Sequence, residues 1–161
     1  MCFVAYIGTD KPIPRKAWDN AMSDLSIESL TDRDNPVRTH FTKLEVQYVG
    51  STSGCGCDFP HLSLQNGDWP FFDDEEDDPE WDAKDRDNRE RLVNLLLRTG
   101  ESVVEFYGVW DGDFSETPKA RETITLSTIL DPTFMFKEQG FYRIEIGTAN
   151  NTSDGSLKPS R

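Results

Sequence analysis

Three segments of the chain carry the hydrophobic patterns of β-strands. Residues 2–9, which read CFVAYIGT, are apolar almost without interruption, and this predicts a strand buried on both faces near the middle of a sheet. Leu44, Val46 and Tyr48 alternate with polar residues, which is the period-two pattern of a half-buried strand. Residues 101–110 are rich in β-branched and aromatic side chains, which favour a third strand.

Shorter patterns predict three more strands. Residues 25–30 (LSIESL) have the composition of a strand, and residues 121–129 (RETITLSTI) are typical of an antiparallel return strand. Farther along, Tyr142, Ile144 and Ile146 alternate with other residues, which predicts that these three side chains face inward.

Two segments carry helical signals. Pro14 fits the first turn of a short helix that runs to about Met22. Its inward face would be Trp18, Ala21 and Met22. A second helix is predicted to start at Asp87, an N-cap residue with a glutamate three positions later, and to end at Gly100. The apolar face of this second helix is Leu92, Val93, Leu95, Leu96 and Leu97.

These elements together predict an α+β fold. Strands outnumber helices, and hairpins suit the second half of the chain, so we expect a mixed or mostly antiparallel sheet packed with two helices. A length of 161 residues fits one domain, which we place at residues 1–147. Residues 148–161 have low hydrophobicity and are predicted to form a flexible polar tail.

Composition and charge narrow the classes of partner. The net charge is −13, which argues against nucleic acid and against membranes, since both carry negative charge. No apolar run reaches the roughly 20 residues that span a bilayer. The first ten residues lack the basic region of a secretory signal, so a cytoplasmic location is expected. An odd count of three cysteines then indicates reduced thiols.

Most of the net negative charge lies in residues 73–90, which we call the acidic segment. It holds eleven acidic residues against Lys84, Arg86 and Arg89. Like charges repel, and Pro79 interrupts helices, so residues 73–87 are predicted to form an acidic loop. One interpretation is a solvated loop that keeps the protein soluble.

The other interpretation of the acidic segment is a docking surface for a basic protein, as immunity proteins provide for basic nuclease toxins. Charge would steer the encounter, and buried aromatic side chains would hold the complex. The candidate partner-binding residues are Trp69, Phe71, Phe72, Asp73, Asp74, Glu75, Glu76, Asp77, Asp78 and Trp81.

The stretch GSTSGCGCDFPH, residues 50–61, has three interpretations. Cys55, Cys57 and His61 supply ligands suited to Zn²⁺ or Cu⁺, and Cys2 or His40 could complete a tetrahedron. Alternatively, the paired thiols could act in redox chemistry, although the acidic surroundings would raise their pKa values. The third interpretation, which we favour, is a tight loop shaped by glycines in which the small cysteines pack as modest hydrophobes.

Some motifs indicate relatives. Cys2 after the initiator Met, the strand end YVGS leading to GCGC, and FYGVWDGD together resemble a small family of bacterial proteins with no known activity. The resemblance extends to about Ile146 and implies no catalytic residues. The opening MCFVAYIG is also superficially similar to N-terminal-nucleophile amidotransferases, but no matching later motif follows, and core packing is the expected role of Cys2.

The sequence therefore favours a non-enzymatic interaction protein that binds a basic protein through the acidic segment and its aromatic flanks. An enzyme is not favoured, because only two histidines exist and neither has a serine or cysteine nucleophile motif beside it. No cofactor is expected. The alternative function is a Zn²⁺- or Cu⁺-binding or thiol-redox protein that uses Cys55, Cys57 and His61.

Overall fold

The computed structural model describes residues 2–63, 69–70 and 79–147. In chain order the elements are β1 (Phe3–Thr9), β2 (Ser26–Ser29), the 3₁₀ helix η1 (Asn35–His40), β3 (Glu45–Gly50), the 3₁₀ helix η2 (Gly56–Asp58), β4 (His61–Ser63), β5 (Trp69–Pro70), α1 (Pro79–Arg98), β6 (Val103–Trp110), β7 (Ala120–Thr125), α2 (Leu126–Leu130), β8 (Phe136–Lys137) and β9 (Gly140–Glu145). No helix in these ranges has the length and apolar character needed to cross a membrane.

The main sheet has six strands in the order β2-β3-β1-β6-β9-β7. Four of its five strand pairs are antiparallel, and the pair of β7 and β9 is parallel. A second sheet has the order β5-β4-β8, with β4 antiparallel to β5 and parallel to β8. The predicted α+β fold, with a mixed and mostly antiparallel sheet and two α-helices, is confirmed.

Strand β1 lies in the middle of the main sheet and is buried on both faces, as its continuous apolar run predicts. Ala5 and Ile7 point to the face that α1 and α2 cover, where they join the larger core cluster. Tyr6 points to the opposite face and packs in a second cluster with Val37 of η1 and Tyr107 of β6. The sheet is therefore covered on both sides.

Helix α1 begins eight residues earlier than predicted. Pro79 is its first residue, so the predicted loop is wrong for residues 79–87. Proline suits the first helical turn because a backbone N–H at that position would have no partner within the helix. The negative charges of Glu80 and Asp82 in the same turn interact favourably with the positive end of the helix dipole. Residues 73–78 of the predicted loop and the tail at 148–161 lie outside the described residues. The predicted helix end near Gly100 is confirmed, since α1 ends at Arg98.

The predicted helix from Pro14 to Met22 is wrong, because no residue from 14 to 22 is helical. Residues 11–16 instead form a non-helical segment, which we call the strap. The Gln47 side chain accepts a hydrogen bond from the Ile13 N–H at 2.7 Å and donates one to the Ile13 carbonyl at 2.9 Å. Lys16 forms a two-way backbone bridge with Ile27, at 2.9 and 2.8 Å. Proline at position 14 also disfavours helical backbone at Ile13.

Side-chain placement follows the predicted alternation at most positions. Tyr142, Ile144 and Ile146 are buried, but Leu44 is 75% exposed. Gln47 is buried instead, because its amide serves the strap.

The prediction for residues 121–129 is half right. Residues 120–125 form β7, which runs parallel to β9 rather than returning antiparallel to β6. Residues 126–130 are the short helix α2. The inward face predicted for Trp18 and Met22 is also wrong, since they are 43% and 57% exposed.

Candidate functional site

Residues 51–59, the cysteine loop, form a tight turn followed by η2. The Ser51 N–H donates to the Cys55 carbonyl at 2.8 Å, and the Gly54 N–H donates to the Ser51 carbonyl at 2.9 Å. Gly54 has a φ of 87°, and a Cβ there would lie 2.8 Å from the Trp18 indole. The Cys55 sulfur accepts a hydrogen bond from the Cys57 N–H at 3.4 Å and so caps η2.

The loop is pressed against the central strand of the sheet. A Cβ on Gly56 would lie 2.7 Å from the Phe3 carbonyl oxygen, which is closer than real Cβ atoms approach. The Cys57 sulfur lies 3.9 Å from the same oxygen. Both the close approach and the cap given by Cys55 support the structural interpretation of the cysteines.

The thiol of Cys57 is held in its neutral form. Burial, followed by the hydrogen bond with Cys55, raises the pKa of Cys57 to about 12, and the charges of Cys55 and Cys2 act in the same direction. A neutral thiol is a weak nucleophile, so this environment works against thiol catalysis at Cys57. All three cysteines are free. Cys2 is exposed, so its predicted role in core packing is wrong.

His61 is built into the aromatic core. Its side chain is 3% exposed and stacks on Phe3, with ring centres 4.2 Å apart and planes 7° apart. The Nδ1 atom lies 2.7 Å from the Phe59 carbonyl oxygen. Burial is the main cause that lowers the pKa of His61, which therefore stays neutral at physiological pH.

The other histidine lies across the sheet. The His40 ring packs 5.1 Å from the ring of Tyr107, which belongs to the second core cluster, whereas Phe3 and Cys57 pack on the larger one. His40 is therefore not available as a fourth ligand beside the cysteines. In the part of the chain that the structure describes, no three His, Cys, Asp or Glu side chains are grouped to hold a metal ion. A site of Cys55, Cys57 and His61 stays a prediction.

A buried carboxylate links the cysteine loop to α1. Asp58 accepts a hydrogen bond from the Ser51 hydroxyl at 3.1 Å and forms a salt bridge of 3.0 Å with Lys84. Partial burial opposes ionisation of Asp58, but hydrogen bonds from Ser53, Lys84 and Ser51 outweigh it and lower its pKa. The Thr52 N–H also donates to the Asn88 side chain at 3.0 Å. No sequence pattern predicts these contacts, because they join the cysteine loop to α1, two segments that are far apart in the sequence.

The first two and a half turns of α1, residues 79–87, form an exposed helical end. Pro79 to Lys84 are all exposed, and burial begins at Asn88. The Trp81 side chain is 39% exposed, and the Lys84 ammonium lies 5.8 Å from the centre of its ring. Of the predicted partner-binding side chains, the structure thus describes the exposed indole of Trp81, which is flanked in the chain by Glu80 and Asp82.

Part of the negative charge on this helical end is neutralised within the helix. Asp85 pairs with Arg89 and Asp87 pairs with Arg91, each at 2.7 Å. These pairs join residues four apart and stabilise the helix. The side chains of the other partner-binding candidates lie outside the described residues: Trp69, Phe71, Phe72, Asp73, Asp74, Glu75, Glu76, Asp77 and Asp78.

Comparison with known proteins adds no assignment, since no family model, curated protein or solved structure matches the chain. The resemblance to a small bacterial family stays a prediction.

Proposed function

We propose that the protein is a non-enzymatic interaction module that binds a basic protein partner through the exposed helical end of α1 and the acidic residues that precede it. The observation that supports this proposal most directly is the exposure of Trp81. This residue is 39% exposed to solvent and lies between Glu80 and Asp82 in the chain. Tryptophan is among the residues that contribute most to binding energy at protein interfaces.

Charge supports a basic partner in particular. Six consecutive acidic residues, 73–78, directly precede Pro79 in the sequence. With Glu80 and Asp82 they give a dense negative field, which accelerates the encounter with a positively charged surface. Asp85 and Asp87 are already paired with arginines of the same helix. The carboxylates of the first turn, Glu80 and Asp82, are therefore the ones on this helix that we expect to contact a partner.

The anchoring of the helical end supports the same proposal. Lys84 ties it to Asp58, and Asn88 ties it to Thr52, so the indole is carried on a helix already fixed to the body of the protein. A surface fixed before binding loses less conformational entropy when a partner docks. The cysteine loop acts here as a structural support.

The test is site-specific photocrosslinking in native cells. Trp81→p-benzoylphenylalanine should capture one basic protein, whereas Leu97→p-benzoylphenylalanine, on an exposed position of the same helix, should not. With the captured protein purified, binding should weaken steeply as salt rises. Trp81→Ala should weaken it by about 2 kcal/mol, the range of an interface hot spot.

A charge-matched pair of variants completes the test. Glu80→Gln/Asp82→Asn should slow association, whereas Glu28→Gln/Glu145→Gln removes the same charge at two other exposed positions and should not. An acidic captured protein, equal capture at Leu97, or binding indifferent to salt would contradict the proposed function.

A further inference from the structure

A cavity of about 590 Å³ lies between the strap, β2 and the last turn of α1. Its volume is in the range of small-molecule binding sites. The apolar part of its lining includes four buried side chains, Ile13, Leu25, Ile27 and Leu95. The cavity can therefore take an apolar group of modest size.

Positive charge surrounds this apolar lining. Lys11, Arg15 and Arg98 line the cavity, and none of these side chains has an ion-pair or hydrogen-bond partner within the described residues. The remaining charged residues of the lining neutralise each other, since Lys16 pairs with Asp24. The cavity is therefore a positively charged region on a protein whose net charge is −13.

The wall that carries two of these cations is fixed by hydrogen bonds. The Lys11 carbonyl accepts from the Thr9 hydroxyl at 2.7 Å, and the Lys11 N–H donates to Glu101 at 3.3 Å. Beyond Lys11, Ile13 is held by Gln47, as described for the strap. The cavity is thus formed before any ligand arrives, which lowers the entropic cost of binding.

One feature of the cavity opposes an anion. The carboxyl end of α1 carries a partial negative charge of about half a unit. Arg98 lies in that last turn and offsets the partial charge directly. Lys11 and Arg15 then leave the cavity net positive.

We propose that this cavity binds a small organic carboxylate, with its apolar body on the lining and its carboxylate at Arg15, Arg98 and Lys11. Guanidinium groups suit this ligand because their paired N–H groups match the two oxygens of a carboxylate. The site is distinct from the exposed helical end, which lies at the opposite end of α1. It gives the interaction module a second ligand of different chemistry.

The test uses three probes and calorimetric titration of the unaltered protein. Octanoate combines an apolar body with a carboxylate, octylammonium has the same body with the opposite charge, and acetate has the carboxylate alone. We expect octanoate to bind one site, with affinity that falls as salt rises, and the other two probes to bind at least tenfold more weakly. Amide resonances of the strap and β2 should shift on octanoate addition.

Variants locate the site. Arg15→Gln/Arg98→Gln should weaken octanoate binding roughly tenfold. Arg86→Gln, an exposed change on the same helix away from the cavity, should leave binding unchanged. Both replaced arginines are exposed, so the double variant should fold, which its melting curve checks. Absence of octanoate binding, equal binding of octylammonium, or shifts confined to other residues would overturn the proposal, as would full binding by the double variant.

Discussion

Lys84 in the acidic segment forms a 3.0 Å salt bridge with Asp58 of the cysteine loop. The cysteine loop and the described part of the acidic segment are therefore in direct contact. The Asp58 side chain is 10% exposed, whereas that of Lys84 is 45% exposed. A largely buried carboxylate thus depends on a cation supplied by the helix.

Lys84→Met should destabilise the fold by about 1 kcal/mol at neutral pH, since it removes the charged partner of a mostly buried acid. The pKa of Asp58 is lowered in the folded state, so its ionised form stabilises the fold above the ordinary carboxyl pKa of about 3.9. This contribution is lost as pH falls through the lower, folded-state value. Urea unfolding at pH 7 and pH 3 should show the difference between variant and wild type shrinking in acid. Arg86→Met is the control, and a pH-independent difference would contradict the assignment.

Cys57 should react slowly with iodoacetamide in the folded protein. A pKa of about 12 leaves little thiolate at pH 8, so alkylation should be a hundredfold to roughly a thousandfold slower than for an unperturbed thiol. Peptide mass spectrometry after timed labelling gives the rate at each cysteine. The exposed Cys2 is the internal comparison, and urea should equalise all three. Equal labelling of Cys57 and Cys2 in the folded state would disprove the shielding.

The protein purified without a histidine tag should carry no stoichiometric zinc or copper, and Cys55→Ser/Cys57→Ser should not change its metal content. The reason is that His61 is packed against Phe3 in the core and Cys55 already caps η2. Elemental analysis by plasma mass spectrometry measures both proteins. One equivalent of metal in the wild type that disappears in the double variant would establish the soft-metal alternative instead.

Gly56→Ala should destabilise the fold by about 1–3 kcal/mol, because the added methyl meets the Phe3 carbonyl oxygen at 2.7 Å and backbone must shift. For a domain of this size we expect a loss of several degrees in melting temperature. Gly147→Ala is the matched control, since a Cβ there meets nothing within 4 Å. An unchanged melting temperature for Gly56→Ala would mean that the loop does not press on β1.

Gln47→Met should loosen the strap, because both backbone groups of the buried Ile13 lose their partner. The expected cost is about 1–3 kcal/mol for the unsatisfied groups. Amide hydrogen exchange at Ile13 should become faster, and octanoate binding should weaken with it. Leu44→Met, an exposed change next to the same strand, is the control. Unchanged exchange at Ile13 would show that the strap has another support.

The central strands could be predicted because their patterns are local. The apolar run of β1 and the alternation at Tyr142 and Ile144 are set by which face each residue buries. The strap could not be predicted, since its conformation depends on Gln47, a side chain 34 positions from Ile13. The early start of α1 could not be predicted from composition, because proline interrupts a helix at inner positions but is favourable in the first turn, where Pro79 lies.

The candidate site was predictable only in part. Glycines around Cys55 and Cys57 predicted a tight loop, and the loop is one. The links of Asp58 to Lys84 and the gathering of Arg15 and Arg98 at one cavity depend on tertiary proximity, which no spacing in the sequence reveals. The exposure of Trp81 likewise depends on the extended start of α1, which the sequence pattern does not predict.

The position of β1 has a consequence for synthesis. Phe3 of β1 pairs with Trp110 of β6. More than one hundred further residues must therefore be synthesised before β1 can pair with β6. Such long-range pairing slows folding. During translation, before β6 is made, the apolar strand β1 can pair only with β3, and its other edge stays exposed. A chaperone that shields apolar strands of nascent chains would have its greatest effect during that time.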